Sequence, residues 1–236
     1  MASELHNKKL NFVKTNKHSW RTKKFVQWIK PPDITFNTNK QKLNRLVNNI
    51  LLKKGRILDL GSGGRKLHNK IINFDLEKFN NVHIVGNALK LPFRDEVFEL
   101  IIVTAVLEHV PYPEKVVAEI KRCLRKGGIV YAEVPFLQGF HADPHDYQRF
   151  TISGIRVLFE FFEERETGVC VGPMSGLTWY LRKFPTLFFS NIYMIKFIEF
   201  VTGWLFFLFK YFDFLLVRAK NAHFLASGIF FIGNKK

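Results

Sequence analysis

The 236 residues are 47% hydrophobic and 24% charged, enough for one α/β domain with a complete core and close to globular averages, which excludes wholesale disorder. A formal net charge of +16 creates a positive field that attracts nucleic acid, anionic lipid or phosphorylated ligands, or else marks a lysine-rich solvated surface; it says nothing of fold. Cys123 and Cys170 have no metal-type pairing near them, so neither a disulfide framework nor a zinc knuckle is expected, and a reducing cytoplasm is the expected compartment.

In chain order, residues 1–24 are polar and basic and lack the apolar core of a secretory signal. Trp20, Phe25, Val26, Trp28 and Ile29 form a short apolar patch before the breaker Pro31-Pro32, and are expected to pack a basic extension, residues 1–54, onto the domain. Leu43, Leu46, Val47, Ile50 and Leu51 recur at three- and four-residue spacing, which predicts an amphipathic helix over 40–52. Apolar runs at 56–60, 71–74, 82–85, 100–103 and 129–134 read as five buried strands. A helix over 113–124 precedes the fifth, with Gly127-Gly128 as its stop signal. Residues 152–162 read as a helix, 166–171 as a strand and 223–232 as the last strand. The roughly fifty residues between those two strands far exceed a usual connection of about 4–6 residues, so 173–222 is an insertion with its own structure. The expected architecture is α/β, with a domain over 55–236.

Residues 57–64 read Ile-Leu-Asp-Leu-Gly-Ser-Gly-Gly, placing glycines at the end of the first strand, where the backbone can turn tightly and approach a ligand. A dinucleotide fingerprint would need a glycine where Lys66 stands, and the Gly-Lys-Ser/Thr of a phosphate loop is absent. The Asp59-Leu-Gly61-Ser62-Gly63-Gly64 stretch resembles the first motif of the class I S-adenosylmethionine-dependent methyltransferases, in the small-molecule, methyltransferase type 11-like branch. Arg65 departs from that motif at its third glycine.

Three later landmarks follow in that family's order: Asp75 with Leu76, Asn87-Ala88-Leu89, and the run from Thr104 and Ala105 to Glu108-His109. The resemblance implies a Rossmann-like, mostly parallel seven-stranded sheet with an antiparallel last strand, and S-adenosyl-L-methionine as cofactor. By the same resemblance Asp59, Gly61, Ser62, Gly63, Asp75, Leu76, Asn87, Ala88, Leu89, Thr104 and Ala105 hold that cofactor. Asp59 would sit near its amino group and Asp75 at its ribose hydroxyls. Only sixteen positions separate Asp59 from Asp75, too few for a full helix, so a short turn or loop is expected there.

Methyl transfer requires alignment of a nucleophile and, where it carries a proton, a base. His141, Asp143, His145 and Asp146 cluster just after the fifth strand. They are the catalytic candidates, because histidine titrates near neutrality and a neighbouring Asp fixes its tautomer. Glu108, His109, Tyr147 and Arg149 are the acceptor-binding candidates. Metal ligation and a loop tied down by its own hydrogen bonds are the competing readings; Pro144 breaks regular ligand spacing, and no metal ligand is assigned.

Ten of the 26 Phe lie between 184 and 217. On a single helix, Lys196, Glu199, Gly203, Lys210 and Asp213 fall in one arc of about 100°, with the rest apolar. Spanning a membrane would cost about 2.5–3.5 kcal/mol per central charge, which disfavours it. Helices that cover the sheet and form an apolar acceptor pocket, or an interfacial segment that dips into an anionic membrane, are both open. The expectation is methyl transfer, as O-methylation, to a small or lipid- or glycan-linked acceptor by a cytoplasmic or membrane-peripheral protein. The alternatives are an RNA methyltransferase, against which stands the lack of an RNA-binding module, and a scaffold that binds the cofactor without transfer.

Overall fold

The computed structural model describes residues 30–236 except Ile34 and Asp143; the expected apolar patch at 20–29 and the catalytic candidate Asp143 lie outside the described residues. Seven strands form one sheet in the order β3-β2-β1-β4-β5-β7-β6. They are β1 Ile57–Leu60, β2 Ile72–Asp75, β3 Ile84–Val85, β4 Phe98–Thr104, β5 Leu124–Pro135, β6 Phe162–Val171 and β7 Gly228–Lys235. β1 to β5 pair in parallel, and β7 runs antiparallel to both β5 and β6. This is the expected Rossmann-like sheet with an antiparallel last strand.

Both faces of the central strands are apolar, as a covered parallel sheet requires. Ile57, Leu100, Ile102 and Tyr131 face one side with Leu43 and Val47 of α1 (Lys40–Leu52). Leu58, Leu60, Ile101, Val103 and Val130 face the other, with Val116, Val117 and Ile120 of α2 (Pro113–Cys123). Pro113 at the start of α2, Glu114 in its first turn and Lys121 and Arg122 in its last suit the helix dipole.

Several boundaries differ from expectation, among them the last strand, which starts at Gly228 rather than 223 because a 3-10 turn occupies Ala222–Phe224. β5 begins at Leu124, because Leu124 pairs with Phe98 before a register shift, and Gly127 (φ +70°) serves an irregularity of the strand rather than a helix stop. The helix expected to reach 162 ends at Leu158 as α3 (Ile152–Leu158), where Phe159 turns inward to stack on Phe231 at 4.8 Å. β6 starts at Phe162, four residues early. Its exposed Glu163 to Glu166 run hides it from an apolar pattern and suits a sheet edge, where charge discourages further pairing.

The insertion is helical: α4 Pro173–Lys183, α5 Ile192–Phe206 and the short α6 Asp213–Leu216, joined by 3-10 turns. The segment Ile192–Leu216 runs as one helical stretch with mean hydropathy 1.7, long and apolar enough to cross a membrane, and 6% of its most apolar window is buried.

Candidate active site at the strand ends

The C-terminal ends of β1, β2 and β3 open onto a cleft of about 200 Å³ lined by Gly61, Gly63, Asp75, Leu76, Asn87, Ala88 and Ala105, the place where ligands bind in open α/β sheets. Phe79, Val106 and Val110, none of them singled out by sequence, supply its apolar walls. Gly61 holds φ +70°, and a Cβ there would meet Val106 Cγ2 at 2.1 Å. Ala105 lines the same cleft at φ 55°, a conformation a non-glycine residue adopts only where its surroundings enforce it.

The glycine loop is pinned from two sides. Asp75 Oδ2 accepts from the Gly63 amide at 2.7 Å, and Asn81 Nδ2 donates to the carbonyls of Gly63 and Arg65. The path from β1 to β2 is turn and loop, without a helix, as its length implies.

Asp59 departs from its expected role. Its fully buried carboxylate is engaged by the Arg65 guanidinium, which also donates to Thr104 Oγ1. Burial raises the Asp59 pKa, with Arg65 opposing that rise. Asp59 and Thr104 thus position Arg65 instead of lining the cleft. Ser62 is buried, and the Leu89 amide donates to Asn87 Oδ1, which fixes the Asn87 side chain in a local turn.

The acceptor-side candidates divide in the structure. His109 lines the cleft, and its ring meets that of His141 edge-on at 5.2 Å. Fully buried Glu108 lies below both, with Oε1 3.8 Å from His109 Nε2 and 3.9 Å from His141 Nε2. Burial pushes the Glu108 carboxyl up to about 7, against smaller opposing pulls from its own backbone amide, His109 and Arg149.

Asp146 and Arg149, expected in catalysis and acceptor binding, are instead each other's partners. Arg149 donates to both Asp146 oxygens and to the carbonyls of Gln138, Gly139 and Gln148. Those bonds hold the Asp146 carboxyl well below the usual carboxylate range, so it is a poor proton acceptor near neutrality. It accepts from the His141 amide at 2.8 Å, which positions that residue. His145 contributes its carbonyl, 2.6 Å from His109 Nδ1, while its ring packs on exposed Tyr147. Gln148, unnoticed in sequence, donates to the Leu107 and Val110 carbonyls and ties this loop to the Glu108-His109 turn.

Comparison with known proteins agrees with this geometry. Residues 58–132 match the family model described as a methyltransferase domain. An uncharacterized protein of Methanocaldococcus jannaschii, MJ1123, is 31% identical over 115 residues, a match spanning 44% of this chain and 54% of that protein. Residues 58–132 thus match a methyltransferase domain, on a sheet with the Rossmann-like methyltransferase fold. The same fold occurs in a protein of Galdieria sulphuraria provisionally described as a sarcosine dimethylglycine methyltransferase. That protein shows a TM-score of 0.52, 14% identity and coverage of 92% of this chain and 97% of its own. It occurs also in the MccD protein, with a TM-score of 0.51, 15% identity and coverage of 84% and 97%.

The residues of the methyltransferase domain suit S-adenosylmethionine, the methyl donor of this family. Gly61 keeps clear the floor that a Cβ would fill, and Asp75 and Asn87 bring polar atoms to adjacent strand ends beside the apolar walls. Arg65 is the local peculiarity: it introduces a cation beside the loop where the family motif has a third glycine.

Proposed function

We propose that the protein transfers a methyl group to an oxygen of a small or lipid- or glycan-linked acceptor, and that it does so at the surface of an anionic membrane. The observation that carries the catalytic part is the shared wall: His109 lines the donor cleft and also faces Glu108 and His141. An acceptor hydroxyl at that wall stands beside both the donated methyl and groups able to hold its proton. In-line displacement then needs alignment and proton removal, with no covalent enzyme intermediate.

The membrane part rests on how the insertion is turned. The polar arc of α5 and the segment after it points at the body of the protein. Glu199 pairs with Lys183, Gly203 packs on Pro31, Lys210 donates to the Asp33 carbonyl, and Asp213 accepts from the Met174 and Ser175 amides at the start of α4. Phe188, Tyr193, Phe197, Leu205 and Phe212 project outward, more than half exposed. Such a face exceeds what a solvated surface tolerates. Exposed Lys196, Arg218 and Lys220 suit anionic headgroups at its margins. The polar anchors oppose spanning, because crossing would tear them from their partners.

The test is incubation of the full chain with methyl-tritiated S-adenosylmethionine and either membrane lipid extract or total RNA, with sedimentation on anionic and neutral vesicles alongside. Label in the lipid fraction and salt-sensitive binding to anionic vesicles are expected. Label confined to RNA, or no vesicle binding at low salt, would overturn the corresponding part.

A further inference from the structure

Glu108, His109 and His141 present an electrostatic problem to one another. Glu108 is fully buried, yet neither carboxylate oxygen has a hydrogen-bond partner among the described residues. Leaving such a group unsatisfied is costly. What faces it is two imidazole nitrogens, and each ring is held from its far side. His109 Nδ1 lies 2.6 Å from the His145 carbonyl and His141 Nδ1 lies 3.1 Å from the Gly139 carbonyl. A carbonyl only accepts, so His109 Nδ1 carries the hydrogen; His141 Nδ1 stands between the Gly139 carbonyl and Arg149 Nη2, a donor 3.3 Å away. The Nε2 lone pair of His109 then faces the carboxylate, as does that of His141 when its Nδ1 hydrogen is turned to the Gly139 carbonyl.

We infer that this space is a binding site for a divalent transition-metal ion, held by His109 Nε2, His141 Nε2 and the Glu108 carboxylate. The three ligand atoms lie within 4.8 Å of one another. Ligands about 2.1 Å from a common ion stand about 3.0–3.4 Å apart, so the Glu108 edges of 3.8 and 3.9 Å need to close by about half an ångström. His141, with 31% of its side chain exposed, is less enclosed than Glu108. Two imidazoles with one carboxylate suit iron, zinc or nickel better than magnesium, and leave coordination positions open.

The surroundings complete the second layer. Both imidazoles set their far nitrogen against a backbone carbonyl, the arrangement that orients metal-bound histidines, with Arg149 Nη2 also 3.3 Å from that nitrogen of His141. Asp146 accepts from the His141 amide, while Arg149 neutralises Asp146 and leaves Glu108, among the described residues, as the carboxylate facing both rings. Because His109 also lines the donor cleft, an ion here would stand at its wall, where an acceptor oxygen could take an open position. This extension to the acceptor rests on the methyl-transfer reading; the binding of the ion does not.

The experiment uses the untagged full chain, stripped with chelator and titrated with Co²⁺ while the visible absorption is followed. A band rising to a one-to-one endpoint is expected, with Glu108→Gln and His141→Ala each weakening binding by at least about tenfold. Affinity for S-adenosylhomocysteine, measured by calorimetry on the same samples, reports that the variants are folded and is expected to stay within about threefold. Absence of a visible band in the wild type, or equal cobalt affinity in wild type and variants, overturns the site. Failure of the wild type to bind S-adenosylhomocysteine would count against the methyl-donor reading and leave the cobalt titration to decide the ion.

Discussion

At the donor end of the sheet, Leu58, Leu60, Ile101 and Val103 are fully buried, while Asp75 and Asn87 face a cleft. Across the insertion, Tyr193 is 79% exposed and Phe188 74%, while Lys210 and Asp213 are buried. The first region follows the ordinary rule of a water-soluble domain, and the second inverts it. The inversion is built, because each inward polar group meets a partner: Asp213 caps the first turn of α4 and Lys210 reaches the Asp33 carbonyl. The two regions are held by different sets of partners and should therefore fail independently.

The sharpest separation comes from Gly61→Ala. The new Cβ meets Val106 Cγ2 at 2.1 Å in a backbone of φ +70°, so donor affinity by calorimetry should fall by about 100-fold or more while vesicle binding is unchanged. Loss of both together would break the comparison. The converse variant combines Phe197→Ser, Leu205→Ser and Phe212→Ser. At about 1 kcal/mol for each partly inserted side chain, vesicle partitioning should fall by about 100-fold with donor affinity intact. Unaltered partitioning would mean that the aromatic face is not the one that meets lipid.

A smaller effect is expected at Arg65→Met. The fully buried Asp59 carboxylate loses its cation, with a stability loss of about 2 kcal/mol in denaturant unfolding, tempered because Arg65 is one-third exposed. A stability loss near zero would show that water satisfies Asp59. The least is Asn191→Ala. Its side chain accepts from the Tyr193 amide at 2.8 Å and caps α5, so about 1 kcal/mol of local stability should be lost, read as faster hydrogen exchange in the insertion alone.

How much of this was legible in the sequence follows the same division. Period and glycine placement revealed the central strands and the donor loop, because burial on both faces leaves continuous apolar runs such as 100–103. β6 was shortened in the reading because its charged face belongs to an edge strand. The arc containing Glu199, Gly203, Lys210 and Asp213 was visible from residue spacing, but not its direction: periodicity identifies a helix's polar side without saying whether protein or solvent lies against it. The same pattern fits a cover for an acceptor pocket and an interfacial segment, and the exposure of Phe197 and Leu205 supports the second. At the acceptor end, the loop after β5 was found by its density of His and Asp. Which of them act together depends on Arg149 claiming Asp146 and on Gln148 drawing the loop to Glu108-His109, contacts that sequence spacing cannot supply.

The central claim, that donor cleft and acceptor wall meet at His109 and Glu108, is tested most directly by comparing wild type with Glu108→Gln. Transfer of labelled methyl to the lipid fraction and donor affinity are measured on the same preparations. The account predicts transfer lower by about 100-fold or more at unchanged donor affinity. Equal transfer by the two proteins would contradict it.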